Sequence, residues 1–347
     1  DCVRAALTNH RLSNVWVVAV GKAAPSMAQG AQDALGNHIE GVLAITKHGH
    51  GRPLGPKGRV LEAGHPVPDK HSLEAGRELL SFLRDAPDHA QLLFLISGST
   101  SALVELLPEG YGAKELAELN RLLLSGGEAI GRMNAVRKRV SCIKGGRLAG
   151  HLAGRETLQL LISDVPGDDI SVIGSGMLVP DDSSPPDMDA LPAWLVEMAE
   201  RAPARPAPED PVFRPVHSEV IATNRTAREA MAARARKAGV EVFDHAELLH
   251  DPPHAAAEAV LKEVQSGPPG LYLWGGETPV KLPPDPGRGG RCQALALELA
   301  ERIAGREDVF FLCGATDGTD GPTEDAGAIV DGGTVARGEM DGLDAVD

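Results

Sequence analysis

Short apolar runs recur along the first half of the chain, and each is followed by a glycine-rich or polar turn. They are VWVVAV at residues 15–20, GVLAIT at 41–46, LLFLI at 92–96 and LQLLI at 158–162. Continuous apolar residues, as opposed to alternating ones, are typical of strands buried on both faces of a parallel sheet. Helical patterns lie between them, for example from Ser72, a candidate N-cap, to Leu83. This alternation predicts an α/β domain with a mostly parallel sheet.

A stretch rich in Pro and Asp, from Ser183 to Pro215, separates this pattern from a second one. Beyond it we predict strands at 219–222, 240–243, 270–274 and 309–313, again alternating with helical patterns. Pro-rich segments of this kind favour domain boundaries. We therefore predict a first domain at residues 1–210 and a smaller α/β domain at residues 211–347. Because the chain starts at Asp1 without Met and stops abruptly, we expect the second domain to be truncated at its end.

The composition narrows the function classes. With 347 residues, 42% of them hydrophobic and only 3% aromatic, the chain can build two largely aliphatic cores. A formal charge of −15 at pH 7 argues against binding to nucleic acids or anionic membranes, which need a basic face. Four scattered cysteines without a C-x-x-C pair indicate a reducing cytoplasm. No signal peptide is visible, and no apolar run approaches the roughly 20 residues that span a bilayer.

Basic and hydroxyl side chains follow two of the predicted strands. Lys22 comes directly after the first strand, and Ser97, Gly98 and Ser99 follow the third and open onto a helix. Open α/β sheets bind ligands at the carboxyl ends of their strands, and hydroxyls and N–H groups at a helix start can hold an anion. Helix capping alone would also explain the hydroxyls, and a hydrolase nucleophile elbow would need Gly in place of Ser101. Lys22 is equally well interpreted as an exposed turn residue.

A second glycine-rich segment lies in the other half of the chain. The strand at 270–274 stops at a glycine pair followed by Glu277, and Gly289, Gly290 and Arg291 later open a helix. Glycines let a backbone approach a ligand closely, a helix start offers unpaired N–H groups, and arginine grips phosphates or carboxylates. We predict a phosphate-binding site here, with a loop of solvated arginines as the alternative.

Six cations lie within sixteen residues of an otherwise acidic chain: Arg132, Arg137, Lys138, Arg139, Lys144 and Arg147. Such a run is usually a solvated face, but the glycine pair after Lys144 makes local recognition of an anion an equal alternative. Asn134 and Arg137 are three residues apart and share a helix face. We predict that Asn134, Arg137 and Lys144 contribute to substrate binding.

Acidic residues gather in turns at two further strand ends. Asp164 and Asp168 follow the strand at 158–162, and Asp317 follows the strand at 309–313. Mg²⁺ prefers one or two carboxylates together with substrate phosphates, although acidic residues are also common turn formers. We predict Asp164 as a catalytic residue and Asp168 and Asp317 as metal ligands. Which carboxylate binds the metal and which orients the substrate stays open.

Two histidines, His48 and His50, flank a glycine after the second predicted strand. A metal site would need a third ligand, and none is spaced nearby. We interpret both histidines as solvated loop residues.

Cationic and glycine-rich strand ends, combined with acidic ones, suit phosphoryl transfer. Cations and backbone donors hold the phosphate oxygens, while carboxylates hold Mg²⁺ and the attacking hydroxyl. From the residues alone we predict a phosphate-handling α/β enzyme.

Eight motifs spread over most of the chain sharpen this prediction. They are Val20-Gly-Lys-Ala23, Gly64-His-Pro-Val-Pro-Asp69, Asn134-x-Val-Arg-Lys138, Ser141-x-x-Lys-Gly-Gly-Arg-Leu148, Ser163-Asp-Val-Pro-Gly-Asp168, Gly275-Gly-Glu-Thr278, Gly289-Gly-Arg-x-Gln293 and Thr316-Asp-Gly-Thr-Asp-Gly321. Together they resemble the glycerate 2-kinases with a MOFRL-type C-terminal region. Some members of that family carry the name hydroxypyruvate reductase.

The resemblance implies a Rossmann-like, three-layer first domain, a second α/β domain and an active site in the cleft between them. It implies transfer of phosphate from ATP, with Mg²⁺, to the 2-hydroxyl of D-glycerate, giving 2-phosphoglycerate. The family's catalytic lysine and arginine match Lys22 and Arg291. The expected partners are thus ATP and a small hydroxy acid, with no nucleic acid or membrane, and a homodimer is one option for the assembly.

This chain also departs from the family pattern. The usual Ser-Gly-Gly-Gly-Ser becomes Ser97-Gly-Ser-Thr-Ser101, and Arg132 replaces a usual glutamate. Ser-Gly-Pro becomes Ser175-Gly-Met177, and Arg-Asn-Gln becomes Arg291-Cys-Gln293. We expect the lost glycines to crowd a phosphate cradle. The alternatives are therefore a kinase of a related hydroxy acid, a hydroxypyruvate reductase or a non-catalytic ligand-binding relative. Against the reductase, no strand ends in G-x-G-x-x-G.

Overall fold

A computed structural model of the protein describes residues 1–125, 130–188, 191–282 and 286–343. The chain forms two compact units, Asp1–Thr223 and Asn224–Asp347. The first unit contains six strands: β1 Val15–Val20, β2 Ile39–Lys47, β3 Gly58–Ala63, β4 Gln91–Ile96, β5 Thr157–Ile162 and β6 Val216–Ala222. Its helices are α1 Cys2–Leu7, α2 Ala24–Leu35, α3 Lys70–Asp85, α4 Thr100–Leu103, α5 Ala113–Ser125, α6 Ile130–Val140 and α7 Ala193–Arg201.

The six strands form one parallel sheet in the order β3-β2-β1-β4-β5-β6. The four strands predicted from apolar runs are confirmed as β1, β2, β4 and β5. β3 is a half-buried edge strand and therefore lacks a continuous apolar run. The strand order reverses between β1 and β4, whose last residues Val20 and Ile96 are paired. Open α/β sheets bind their ligands at such a switch point.

The sheet is covered on both faces, as the continuous apolar runs predict. Along β1, Val15, Val17 and Ala19 pack with α1 and α2, whereas Val18 and Val20 pack on the other face with α3. All five side chains are fully buried. Burying a valine contributes roughly 1.5–3 kcal/mol, so the side chains of this central strand stabilise the packing of helices on both faces of the sheet.

Helix α3 begins one turn earlier than the sequence analysis predicts. Its N-cap is Asp69, whose carboxylate accepts hydrogen bonds from the N–H groups of His71 and Ser72. The Ser72 hydroxyl accepts in return from the Asp69 N–H at 3.1 Å. Ser72 is therefore the N3 residue of a capping box, and Asp69 is the N-cap.

The first unit extends further than the predicted boundary at residue 210. Strand β6 was expected to open the second domain, but it pairs with β5 and completes the six-stranded sheet. A composition change at a Pro-rich stretch cannot reveal strand pairing, because that stretch lies between two elements of the same sheet.

The second unit contains helices α8 Asn224–Lys237, α9 Pro253–Ser266, α10 Arg291–Arg302 and α11 Thr334–Met340. Strands β7 Val242–Asp244 and β8 Leu271–Leu273 pair in parallel, and β9 Phe310–Gly314 pairs with β10 Gly327–Asp331 in antiparallel fashion. Its core lies between α9 and α10, where Val260 packs with Leu295 and Leu299. Among the described helices, none has the length and apolarity that crossing a membrane requires.

Candidate active site

A cavity of about 230 Å³ lies beyond the carboxyl ends of β3, β4 and β5 in the first unit. The structure brings five of the predicted site residues together in its lining: Gly98, Ser99, Asn134, Arg137 and Asp164. Residues from a strand-end loop, a helix and an acidic turn thus line one concave volume. Small-ligand sites typically combine such convergent polar groups in a concave pocket.

The loop after β4 is joined to the turn that follows β1. The Ala23 N–H donates to the Ser97 hydroxyl oxygen at 3.1 Å, and the Lys22 N–H donates to the Gly98 carbonyl at 2.9 Å. Ser97 itself is buried, so its hydroxyl holds the two turns together instead of lining the cavity. These bonds place the Lys22 backbone beside the cavity wall.

Gly98 is required by a close approach of a side chain. A β-carbon at this position would stand 2.2 Å from the Asp164 Oδ2 atom, well inside contact distance. The Asp164 carboxylate therefore lies directly against the backbone of the loop. This contact positions an acidic group within the cavity wall.

The two lost glycines of this loop affect the cavity differently. Ser99 has a φ angle of 77°, in the left-handed region that glycine adopts most easily. Thr100 is buried, and its hydroxyl lies 2.9 Å from the Val20 carbonyl and 2.8 Å from the Ser97 carbonyl, to either of which it can donate. The Thr100 hydroxyl is thus turned into the protein, although Thr100 belongs to the cavity lining. The expected crowding of a phosphate by this loop stays a prediction.

Arg137 on α6 presents an incompletely satisfied guanidinium group to the cavity. Its Nη2 donates to the Asn120 side-chain oxygen at 3.0 Å, and its Nη1 makes a longer contact of 3.5 Å with Asn134. Its buried Nε–H has no hydrogen-bond partner among the described residues. Burial lowers the pKa of Arg137, and the nearby Glu105 carboxylate opposes that shift. A desolvated cation with donors to spare is well suited to an anionic ligand.

Lys144 does not line the cavity. Its ammonium group is almost fully buried, forms an ion pair with Glu105 and donates to the Ser101 carbonyl at 2.8 Å. The substrate contact predicted for Lys144 is therefore not seen, because the positive charge is neutralised inside the protein. Lys144 instead supports the loop that carries Ser99 and Ser101.

The other cations of this segment are also used structurally. Lys138 donates to the Ser171 carbonyl at 2.8 Å and forms an ion pair with Asp181 at 3.1 Å. Arg139 donates to the Ala199 carbonyl in the last turn of α7. Arg147 donates to the Pro203 carbonyl, just after that helix, at 2.7 Å. The run of charges is thus largely buried scaffolding and not the solvated face that such runs usually form.

The two acidic residues after β5 occupy different surroundings. Asp164 is exposed within the cavity, whereas Asp168 belongs to the following turn and is not part of the lining. The Asp168 N–H donates to the Val165 carbonyl at 3.1 Å, and its φ angle is 56°. Asp168 therefore acts as a turn former, and of these two carboxylates only that of Asp164 lines the cavity.

The cavity also contains residues that the sequence analysis did not select. His65, Pro66 and Pro68 come from the loop after β3, and Ser101 lies within hydrogen-bonding distance of Ser175, at 2.6 Å. His65 could have been selected by its position, because the motif that contains it also follows the end of a strand. It was missed because β3 has no strong apolar run.

The predicted phosphate site in the second unit is occupied by the protein itself. The Asp320 carboxylate accepts hydrogen bonds from the N–H groups of Cys292 and Gln293, at 3.0 and 2.8 Å, and is buried. A β-carbon at Gly290 would stand 2.2 Å from Asp320 Oδ1. Two of the backbone donors at this helix start are thus used by a side-chain cap.

Gly289 differs from Gly290, because a β-carbon there would meet only Gln293 Oε1, at an ordinary contact distance of 3.7 Å. A β-carbon on Gly321 would lie 2.1 Å from the Gly289 carbonyl, so the two loops pass each other backbone to backbone. Gly290 and Gly321 therefore serve the packing of two loops, whereas a side chain at position 289 would find room. Phosphate binding by Gly289, Gly290 and Arg291 stays a prediction, because glycine permits close approach to any group, ligand or protein.

Arg291 and Glu277 form an ion pair in the second unit, and both side chains are more than half exposed. Asp317 accepts a hydrogen bond from the Thr319 N–H at 3.3 Å, as a turn former does. Neither Asp168 nor Asp317 belongs to a cluster of three potential metal ligands in the described part of the chain. Their assignment as Mg²⁺ ligands stays a prediction.

Comparison with known proteins identifies relatives over nearly the whole chain. A domain of unknown function, DUF4147, matches residues 2–201, and the MOFRL family matches residues 270–347. A glycerate 2-kinase of Pyrococcus horikoshii is 35% identical over 351 residues, covering 95% of this chain and 78% of the relative. A D-glycerate 2-kinase of Thermotoga maritima is 35% identical over 342 residues, covering 96% and 82%. One relative from Agrobacterium vitis has hydroxypyruvate reductase in its name. It is 35% identical over 349 residues, and the match covers 94% of this chain and 89% of the relative.

A solved structure shows the same fold. The crystal structure of a glycerate kinase (EC 2.7.1.31) from Thermotoga maritima superimposes with a TM-score of 0.81 at 33% sequence identity. The match covers 99% of this chain and 86% of that one.

Proposed function

The chain belongs to the glycerate 2-kinase family, and from this premise we propose that it transfers the γ-phosphoryl group of ATP to the 2-hydroxyl of D-glycerate. The products are 2-phosphoglycerate and ADP. The observation that carries the proposal within this chain is the Arg137–Asp164 cavity, where an incompletely satisfied guanidinium and an exposed carboxylate face the same volume. A 2-hydroxy acid needs both groups, a cation for its carboxylate and a carboxylate for its hydroxyl.

The size of the cavity supports a small acceptor. Drug-sized ligands occupy pockets of about 300–1,000 Å³, whereas this cavity measures about 230 Å³. A three-carbon acid fits such a volume, but a whole nucleotide does not. The proposal therefore places the hydroxy acid and the transferred phosphoryl group here, and the rest of ATP outside this cavity.

Arg137 would bind the substrate carboxylate. Its hydrogen bonds to Asn120 and Asn134 fix the plane of the guanidinium and leave donors for an anion. Charge-assisted bonds of this type contribute about 1.5–3 kcal/mol each. Burial disfavours the charge of the guanidinium in the free protein, and binding of a carboxylate offsets this unfavourable free energy.

Asp164 would act on the hydroxyl. Its carboxylate is held against Gly98 and faces the cavity, so it can orient the 2-hydroxyl and accept its proton as the oxygen attacks phosphorus. Ser99 and Ser101 line the same wall and offer hydroxyl donors to phosphoryl oxygens. Lys22, whose N–H is bonded to this loop, and Arg291 would neutralise charge that develops during transfer, as the family resemblance implies.

Mg²⁺ is part of the same proposal. The residues present fit it, because Mg²⁺ takes only one or two carboxylates with substrate phosphates and the cavity offers Asp164. When bound, the ion supplies neutralisation of the phosphate oxygens. Asp168 and Asp317 remain the further candidates that the sequence suggests.

Release of ADP tests the function directly. The protein is incubated with ATP, MgCl₂ and a panel of small hydroxy acids, and the product is identified by ³¹P and ¹H NMR. We expect turnover with D-glycerate and phosphate on its 2-oxygen. Turnover with another acid alone would keep the mechanism and change the substrate, and no turnover with any acid would favour a ligand-binding relative.

The reductase name of some relatives provides the alternative. NADH oxidation with hydroxypyruvate as the acceptor distinguishes it, since a kinase shows no such oxidation. The cytoplasmic location and homodimer also remain proposals, and cell fractionation and light scattering test them.

A further inference from the structure

Two histidines far apart in the sequence converge on one carboxylate oxygen. His48 Nε2 lies 2.8 Å and His71 Nδ1 lies 3.2 Å from Oδ2 of Asp69. The three potential ligand atoms all lie within 4.8 Å of one another. The two rings are 5.2 Å apart and nearly perpendicular, so their nitrogens approach the carboxylate from different directions.

The backbone holds this arrangement in place from both sides. The His48 N–H donates to the Ala63 carbonyl at 3.2 Å, which ties the loop after β2 to the end of β3. His71 lies in the first turn of α3, directly beyond the Asp69 cap. The two imidazoles are therefore carried by separate elements that are joined at Asp69.

The Asp69 carboxylate divides its two oxygens between structure and the histidines. Oδ1 accepts hydrogen bonds from the N–H groups of Gly64, His71 and Ser72, at 3.1, 2.9 and 3.2 Å. Oδ2 contacts the two imidazoles. In metal sites, hydrogen bonds of this kind to the second oxygen orient a ligating carboxylate.

The group is open to solvent. The side chains of His48, Asp69 and His71 are 51%, 36% and 40% exposed, so an ion can enter without opening the fold. A tetrahedral ion with bonds of about 2.0–2.1 Å separates its ligand atoms by roughly 3.3 Å. The two histidine nitrogens lie 2.8 and 3.2 Å from Oδ2, close to that value, and all three atoms lie within 4.8 Å of one another.

We propose that His48, Asp69 and His71 form a binding site for a divalent transition metal such as Zn²⁺, with open positions left for water. Two imidazoles and one carboxylate are the ligands that first-row transition metals prefer, whereas Mg²⁺ prefers oxygen ligands. The site is therefore chemically distinct from a magnesium site at the cavity. In the sequence, we found no third ligand near His48 and His50. The partners of His48 are Asp69 and His71, which lie 21 and 23 residues further along the chain.

The metal site adjoins the substrate cavity through one loop. Asp69 Oδ1 holds the N–H of Gly64, and the residues between them include His65, Pro66 and Pro68 of the cavity lining. An ion on the other oxygen of the same carboxylate would hold both ends of this loop together. Zinc is thus expected to stabilise the wall of the cavity.

Isothermal titration with ZnCl₂ tests the site on the full chain after treatment with EDTA and dialysis into excess MgCl₂. We expect one zinc ion per chain in the low-micromolar range or tighter. The His48→Asn and His71→Asn variants are expected to bind zinc about tenfold more weakly or worse. Zinc is also expected to raise the Tm of the unaltered chain and not that of either variant.

Two matched variants serve as controls. His50→Asn alters the other histidine of the same loop and His89→Asn alters an exposed histidine elsewhere, and both are expected to bind zinc as the unaltered chain does. The proposal is overturned if His48→Asn and His71→Asn bind zinc as tightly as these controls. It is equally overturned if the unaltered chain binds none. Zinc that survives in all variants belongs to other ligands, such as the cysteines.

Discussion

The Asp164 carboxylate lies against the α-carbon of Gly98, where a β-carbon would stand 2.2 Å from Oδ2. Gly98, in the loop after β4, and Asp164, the candidate base, are thus fixed by the same contact. The consequence is that a change in either residue alters both the loop and the position of the acidic group.

Gly98→Ala is the direct test of this contact. The methyl group has to displace Asp164, so we expect kcat/KM for D-glycerate to fall by about 100-fold, in line with the effect of a misplaced catalytic group. Steady-state kinetics and a thermal melt give the two readings. Gly150→Ala is the matched control, because its β-carbon meets nothing within 4 Å. Normal activity of Gly98→Ala would contradict the assigned role of Asp164.

Arg137→Ala is expected to raise KM for D-glycerate by about 10- to 150-fold, which corresponds to the loss of a charge-assisted contact of 1.5–3 kcal/mol. KM for ATP is expected to change little, because the guanidinium contacts the acid. Arg121→Ala removes an exposed arginine of α5 and provides the comparison. An equal rise in both KM values would indicate a general loss of structure.

Asp164→Asn keeps the shape of the side chain and removes its basicity. We expect kcat to fall by about 10²–10⁴-fold with a small change in KM for D-glycerate, as for loss of a general base. Asp168→Asn, which alters a turn residue outside the cavity lining, is expected to lose much less. The reverse order of the two variants would move the catalytic role to Asp168.

Lys22→Ala and Arg291→Ala test the two residues assigned by family resemblance. If they neutralise charge in the transition state, kcat falls by about 10²–10³-fold while the Tm is nearly unchanged. Arg291 is exposed, so its ion pair with Glu277 contributes little to stability. Turnover close to that of the unaltered chain would remove either residue from the mechanism.

Asp181 links the pH dependence of stability to the scaffold of the cavity. Burial disfavours its charge, but hydrogen bonds from Ser183 and the nearby Lys138 outweigh this and lower its pKa from the ordinary value of 3.8. A carboxyl with a lowered pKa in the folded state stabilises the fold above its ordinary pKa, and this stabilisation is lost as the pH falls through and below 3.8.

Asp181→Asn is therefore expected to lower the free energy of unfolding by about 3 kcal/mol at pH 7, since it leaves Lys138 and Arg205 without their buried anion. The difference from the unaltered chain is expected to shrink as the pH falls below about 4. Urea unfolding at several pH values measures both. Asp182→Asn, at the exposed neighbouring position, provides the control, and a pH-independent difference would contradict the assigned cause.

The sequence by itself determined the parallel sheet, because only strands buried on both faces need continuous apolar runs such as VWVVAV. It also predicted turns that line the cavity, since strand ends are where such sheets bind ligands. Asp164 and Gly98 could be selected for that reason, whereas Arg137 was selected from the run of cations and from the helix face that it shares with Asn134. The family resemblance then supplied the reaction class.

Only the tertiary structure decided what each charge and glycine contacts. Lys144 and Arg137 belong to one basic segment, yet the first is neutralised by Glu105 inside the protein and the second faces the cavity. Gly290 approaches Asp320 and not a ligand, and His71 reaches His48 across 23 residues. Local sequence fixes backbone preference and burial period, but the partner of a polar group comes from another element. That partner is set by the packing of the whole unit.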